Sequence, residues 1–93
     1  MRIIYKYHLD PTRVDQIITI PGNSAYILDV KVQGANLPVV WIIFDKNDNE
    51  ETKFTFRTIV TGVPDDSING FDYAGSYQIF GDRFVGHVFY KRG

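Results

Sequence analysis

A two-residue alternation of apolar side chains begins at the third residue and recurs along the chain. In residues 3–9, Ile3, Tyr5, Tyr7 and Leu9 fall on one face of an extended strand, and the residues between them fall on the other. No stretch has the spacing of an amphipathic helix. The pattern therefore predicts an all-β fold in which Tyr5 and Tyr7 are buried.

Turn residues divide the chain into short segments with this period, about seven strands in all. The predicted strands cover residues 3–9, 16–20, 26–33, 39–44, 53–61, 71–80 and 84–91. Turns are predicted at residues 21–23 and at residues 81–83, and the second makes the last two strands a hairpin. We expect one domain, residues 1–93, folded as a small antiparallel β-sandwich or barrel.

Two further patterns within the strands predict how side chains are placed. Leu28, Val30 and Val32 alternate with polar residues, so we expect all three to face the core. Gly75 and Gly86 interrupt the last two strands, which indicates bulges or close backbone approach.

Residues 39–44 are apolar on both faces, unlike the other strands. This is typical of a central strand covered on both sides, or of a strand at a subunit interface. A chain of 93 residues hides only about 60–65% of its unfolded surface and is too small to cover both faces alone. The segment therefore favours an oligomer.

Composition excludes several classes of function. The chain has no cysteine, which removes disulfides and thiol chemistry and fits a reducing compartment. Its formal net charge of −1 lacks the basic excess typical of proteins that bind long nucleic acid. No segment has the ~20 apolar residues of a membrane span, and the first residues do not resemble a signal sequence. We expect a soluble, cytosolic protein with no membrane contact.

Metal and cofactor motifs are incomplete in the sequence. Residues 45–49 match the first half of a calcium loop, but Glu50 replaces the required glycine and Phe56 the required glutamate. His8 and His87 have no second ligand at metal spacing and could meet only if the first and last strands pair. We therefore expect no metal and no cofactor.

Catalytic motifs are equally incomplete. Ser24, Ser67 and Ser76 do not lie in the strand-to-helix turn of a hydrolase nucleophile. A phosphate-binding glycine loop needs a helix, and none is predicted. We expect a protein that binds without catalysis and has no catalytic residue.

Arg57 is the most informative charged residue, since it shares a strand face with the apolar Ile59. An arginine there meets either an anionic ligand or a salt-bridge partner such as Asp29. Both alternatives remain open at the level of sequence.

Short motifs over nearly the whole chain resemble a family of small phage-encoded proteins. The motifs are residues 4–7, Ile27-Leu28 with Val30, Val32 and Gln33, Trp41 with Asp45, residues 54–57 running to Thr61-Gly62, Tyr73 with Gly75, and residues 87–89. The chain departs from the family pattern at Val60-Thr61-Gly62, where a second glycine is usual, and in the loop after Gly62, which is Val63-Pro64-Asp65-Asp66. Small phage proteins include sponges that sequester cyclic nucleotide signals of bacterial immunity. The resemblance thus implies an anti-CBASS or anti-Thoeris evasion protein acting in the host cytoplasm.

Such a sponge would bind a cyclic oligonucleotide, for example a cyclic dinucleotide, without cleaving it. Aromatic rings would stack on the bases, cations would meet the phosphates, and small residues would donate hydrogen bonds. The residues expected in these roles are Tyr5, Tyr7 and Trp41 for stacking, Lys6 and Arg57 for phosphate, and Thr61 with Gly62 for hydrogen bonds.

Because a cyclic dinucleotide is nearly two-fold symmetric, the pocket is expected between subunits of a homodimer or homotetramer. By the two-residue period, Lys6 points away from Tyr5 and Tyr7, so only a bulge or a second subunit would join them in one pocket. The alternative function is a protein-binding or virion-associated β module that acts on a host protein through an edge strand such as residues 84–91.

Overall fold

The computed structural model describes all residues, Met1 to Gly93, and contains seven strands. They are β1 (Arg2–His8), β2 (Asp15–Ile20), β3 (Gly22–Gln33), β4 (Leu37–Lys46), β5 (Thr52–Val60), β6 (Asp72–Ile79) and β7 (Phe84–Arg92). There is no helix, and therefore none that could cross a membrane. The all-β prediction is confirmed, with strand ends that differ from the predicted ones by a few residues.

The strands form two antiparallel sheets that pack face to face. One sheet has three strands in the order β1-β4-β3, and the other has four in the order β2-β5-β7-β6. Of the two architectures predicted, the fold is therefore the sandwich. Because β7 lies between β5 and β6, residues 84–91 are not an edge strand, and the prediction that they add to a partner sheet is wrong.

The space between the sheets is filled largely by aromatic rings. Phe44 from one sheet and Phe54 and Phe56 from the other are fully buried, and Tyr90 packs against the last two with ring centroids 5.8 and 6.2 Å away. Burying one such ring contributes about 1.5–3 kcal/mol. Large rings thus supply much of the core of this short chain.

The chain crosses between the sheets at Pro21, and the turn predicted at residues 21–23 is absent. β2 ends at Ile20 and β3 begins at Gly22, so the single proline joins two strands of different sheets. A Cβ atom on Gly22 would lie 2.0 Å from the carbonyl oxygen of Asp45. Gly22 is therefore required for the close approach of β3 to β4 and does not form a turn.

β3 contains irregularities that alternation alone does not predict. The pairing with β4 shifts between Ile27 and Asp29, so Ile27 takes the inward position and Leu28 points outward, where it is 50% exposed. Val30 is buried and Val32 half-buried, as predicted, but the prediction for Leu28 is wrong. The extra residue of a β-bulge reverses the face of the side chains beside it.

Both interrupting glycines lie where the backbone is approached closely, as expected. The pairing of β6 with β7 shifts between Tyr73 and Gly75, which marks a bulge. A Cβ atom on Gly75 would lie 3.0 Å from the Val30 Cβ, and one on Gly86 would lie 2.9 Å from the Tyr77 ring. Gly75 thereby allows β6 to pack against β3 of the other sheet.

Candidate functional site

The residues predicted to bind a ligand lie in three separate parts of the sandwich. Tyr5 and Tyr7 point into it, and the Tyr5 ring meets Phe44 edge-on with centroids 5.1 Å apart. Burial raises the pKa of the Tyr7 phenol above its usual range. The predicted burial of both rings is confirmed, and neither lies on the same side of its sheet as Lys6.

Lys6 and Trp41 lie together on the outer face of the three-stranded sheet. They are opposite each other in the pairing of β1 with β4, and the Lys6 ammonium lies 5.8 Å from the centroid of the Trp41 ring. Lys6 also donates a hydrogen bond of 2.7 Å to the side-chain oxygen of Gln33. This places a positive charge over a half-buried aromatic ring.

A shallow depression lies beside this pair. Its volume is about 440 Å³, and it is lined by Ile4, Leu28, Asp29, Lys31 and Trp41. Asp29 is directly opposite Trp41 in the pairing of β3 with β4, and its carboxylate lies 3.5 Å from the Lys31 ammonium. The lining thus combines apolar walls with a cation and a carboxylate.

A second cation and ring occur on the same outer face. The Arg2 guanidinium carbon lies 5.4 Å from the centroid of the Tyr26 ring, and Tyr26 is 60% exposed. Tyr26 pairs with Ile43, which is two residues along β4 from Trp41, so the two rings are diagonal neighbours. We refer to Arg2, Ile4, Lys6, Tyr26, Leu28, Lys31 and Trp41 as the Trp41 face.

Arg57 lies on the outer face of the other sheet and is held by protein groups. Its Nε and Nη2 donate hydrogen bonds of 2.7 and 2.8 Å to the two carboxylate oxygens of Asp15, which is directly opposite on β2. Its Nη1 donates to the carbonyl and hydroxyl oxygens of Ser67, and the guanidinium lies 4.6 Å from the Phe71 ring centroid. The Arg57 hydrogen bonds hold the pKa of Asp15 below its ordinary value.

Of the two alternatives for Arg57, the structure contains the salt bridge, but with a different partner from the one proposed. Asp29 lies in the other sheet, so the prediction of that residue is wrong. A ligand role for Arg57 stays a prediction, and it would require a ligand to displace or extend these contacts.

Thr61 and Gly62 follow β5 and meet an unpredicted cluster. The Thr61 hydroxyl lies 2.6 Å from Nε2 of His87, and Nδ1 of His87 lies 2.9 Å from the hydroxyl of Ser76. The Ser76 hydroxyl also contacts that of Tyr73. Gly62 is exposed with a φ of 85°, a conformation that favours glycine. The two histidines lie in different sheets and do not meet.

The sequence alone does not place this cluster. The predicted turn at residues 81–83 puts Phe80 opposite Phe84 and therefore Ser76 opposite Val88, whereas the structure pairs Ile79 with Phe84 and Ser76 with His87. Tyr73 could not be placed either. In a regular strand, residues 73 and 76 face opposite sides, and only the bulge brings both to the outer face.

No group of three or more His, Asp or Glu side chains is arranged to hold a metal ion. A family described as a domain of unknown function (DUF7352) matches the chain over residues 1–93. No curated protein and no solved structure matches the chain. The chain therefore belongs to the DUF7352 family over its whole length.

Proposed function

We propose that this DUF7352 protein binds a planar, anionic small molecule on the Trp41 face and releases it unchanged. The observation that carries the proposal is the Lys6 ammonium held 5.8 Å from the Trp41 ring, beside a depression of about 440 Å³. A ring stacked on Trp41 would lie next to a cation suited to a phosphate. Stacking on an aromatic side chain is worth about 1–3 kcal/mol per base.

The arrangement of two rings and several cations favours a ligand with more than one base. Tyr26 with Arg2 repeats the combination found in Trp41 with Lys6, and Lys31 adds a further cation. A cyclic oligonucleotide carries the matching set of bases and phosphates. The narrower proposal, a phage evasion protein that sequesters such a signal in the host cytoplasm, is supported by the family resemblance of the sequence motifs.

We further propose that two copies enclose the ligand between their Trp41 faces. Ile4, Tyr26 and Leu28 are each half exposed or more, so one chain leaves an apolar rim open around the depression. A nearly two-fold symmetric ligand would meet the same residues from each copy. Light scattering tests this step, and we expect the mass of a dimer of the 10.7 kDa chain when the ligand is bound.

The proposed residues differ from those expected from the sequence. Lys6 and Trp41 are retained, Arg2, Tyr26 and Lys31 are added, and Tyr5 and Tyr7 act as core residues. Arg57 lies on β5 of the other sheet, and Thr61 and Gly62 directly follow that strand, so these three would serve a different surface.

Thermal unfolding with and without a panel of cyclic di- and trinucleotides tests the proposal. Ligand at 100 times its dissociation constant stabilises the folded state by about 2.7 kcal/mol, which corresponds to a rise of roughly 10–20 °C for a domain of this size. No shift with any nucleotide at high micromolar concentration would refute the nucleotide assignment. Nucleotide recovered unchanged after the protein is denatured would distinguish binding from cleavage.

Matched variants test the residues. Lys6→Ala should abolish most of the shift, while Lys53→Ala, which removes an exposed cation of the other sheet, should leave it intact. Trp41→Leu keeps an apolar side chain without a ring to stack, and Phe80→Ala removes an exposed ring in the loop before β7. If Trp41→Leu and Phe80→Ala reduced the ligand-induced rise in melting temperature equally, the assignment of the ligand site to the Trp41 face would be contradicted.

The second function is binding of a host protein through the same exposed apolar residues. The specific observation in its favour is that Ile4 and Leu28, which line the depression, and Tyr26, which lies outside it, are all exposed apolar side chains. Large exposed apolar patches on a protein often mark the sites at which it binds other proteins. Lack of any nucleotide effect, together with loss of partner binding in Tyr26→Ala, would favour this function over the first.

A further inference from the structure

The cluster of Thr61, Tyr73, Ser76 and His87 has the connections of an activated nucleophile. It lies on the outer face of the four-stranded sheet and plays no part in the ligand binding proposed above. We propose that Ser76 is a nucleophile, with His87 as its base, that accepts an acyl or phosphonyl group from an activated ester.

The proposed role of His87 requires the tautomer in which Nε2 carries the proton. In that tautomer Nε2 donates to the Thr61 hydroxyl oxygen, 2.6 Å away, and the Thr61 proton is directed at the Val85 carbonyl oxygen at 3.5 Å. Nδ1 of His87 then has no proton and accepts a hydrogen bond from the Ser76 hydroxyl at 2.9 Å. His87 in this tautomer can take the proton of Ser76.

Tyr73 completes the arrangement from the other side of Ser76. With the Ser76 proton directed at His87, the serine oxygen accepts a hydrogen bond from the Tyr73 hydroxyl. This contact orients the Ser76 oxygen relative to His87, which makes Tyr73 a positioning residue. The bulge between Tyr73 and Gly75 makes this contact possible, because it brings the side chains of Tyr73 and Ser76 to the same outer face.

A depression beside Ser76 provides room for the group transferred. It has a volume of about 410 Å³ and is lined by Ser76 itself, by Val30, Val32, Val85 and Tyr77, and by Lys31 and Gln78. The half-buried Val32 and Val85 suit an apolar acyl group, and Gln78, two residues from Ser76 on the same face of β6, carries the side-chain N–H donors on this strand. The geometry therefore points to esters with an apolar acyl group as the substrate class.

The step balances without a further reactant. The Ser76 oxygen forms a bond to the carbonyl carbon or phosphorus, the bond from that atom to the leaving group breaks, and the leaving group departs as an anion. The Ser76 proton passes to Nδ1 of His87 and from there to water. With a fluorophosphonate probe, the leaving group is fluoride and the product is a stable adduct on Ser76.

Reaction of the full chain with a fluorophosphonate tests the proposal by intact mass and peptide mapping. We expect a single adduct on Ser76, no adduct in Ser76→Ala, and a labelling rate at least 100-fold lower in His87→Gln. Ser67→Ala, which removes another exposed serine, should label at the unaltered rate. Thr61→Val should slow labelling about tenfold without loss of fold, since it removes only the group that orients His87.

A second measurement covers the case in which His87→Gln does not fold. The chain has only two histidines, so in a His8→Gln protein His87 is the one imidazole that diethylpyrocarbonate can modify, and hydroxylamine reverses that modification. This modification should abolish fluorophosphonate labelling. Absence of an adduct at millimolar probe, an adduct on another serine, or labelling of Ser76 that does not depend on His87 would overturn the proposal.

Discussion

Replacing Tyr77 by phenylalanine should stabilise the protein, although the residue is part of the core. Tyr77 is 4% exposed, and its hydroxyl has no hydrogen-bond partner. The hydroxyl of Thr58, which is 6% exposed, is the other buried side-chain oxygen without a partner. Burial raises the pKa of the Tyr77 phenol, and the nearby Thr58 hydroxyl opposes that shift without reaching hydrogen-bonding geometry.

Two opposing contributions determine how much Tyr77→Phe changes the free energy of unfolding. A buried hydroxyl without a partner costs about 1–3 kcal/mol relative to water, and Tyr77→Phe removes that cost. The missing oxygen leaves roughly 15 Å³, which costs about 0.4 kcal/mol as a cavity. The ring itself keeps its contacts with Phe84 and with the backbone at Gly86. We expect a net gain of about 1–2 kcal/mol, or roughly 4–16 °C in the melting temperature.

Urea denaturation of Tyr77→Phe, Thr58→Val and the double variant is the assay. If neither hydroxyl has a partner, the two effects should add, with a coupling below about 0.5 kcal/mol. A loss of more than about 1 kcal/mol in Tyr77→Phe, together with strong coupling to Thr58, would show that the two hydroxyls bind each other. That result would refute the reasoning.

Two other predictions concern the strand contacts and the ion pair. Gly22→Ala should prevent folding or lower the melting temperature by more than 10 °C, because the added Cβ would lie 2.0 Å from the Asp45 carbonyl oxygen; a circular dichroism melt checks this, and an unchanged midpoint would contradict the close contact. Asp15→Asn should weaken the dependence of stability on acid pH. The pKa of Asp15 is lowered in the folded protein, so its contribution is present above the unfolded value of about 4 and is lost as pH falls through the folded value. Urea denaturation at about pH 7 and pH 3 should show a smaller difference for the variant than for the unaltered protein, and an equal or larger difference would count against the Arg57 pair.

Most strands were predictable because they carry their own alternation, and residues 39–44 were predictable as a continuous apolar run. Tyr5 and Tyr7 are inside and Lys6 outside, as the period requires, and residues 39–44 form the central strand of their sheet. Asp15 was missed as the partner of Arg57 because a predicted strand that starts at residue 16 leaves it in a loop.

What the sequence could not place depends on bulges and on how the sheets assemble. Alternation assigns Leu28 to the core, whereas the register shift beside it turns the side chain outward onto the Trp41 face. A register shift in β6 likewise brings the side chains of Tyr73 and Ser76 into contact on the outer face. Sheet membership separates Arg57 from Trp41, and no local pattern encodes which strands share a sheet. These non-local features determine the surfaces on which function is proposed.

The most direct test of the proposed ligand site uses the fluorescence of Trp41, the only tryptophan of the chain. A base stacked on this ring should quench its emission, with a saturable titration as a cyclic oligonucleotide is added, and Lys6→Ala should shift the midpoint at least tenfold higher. Saturable binding seen by calorimetry without any change in Trp41 emission would contradict the site.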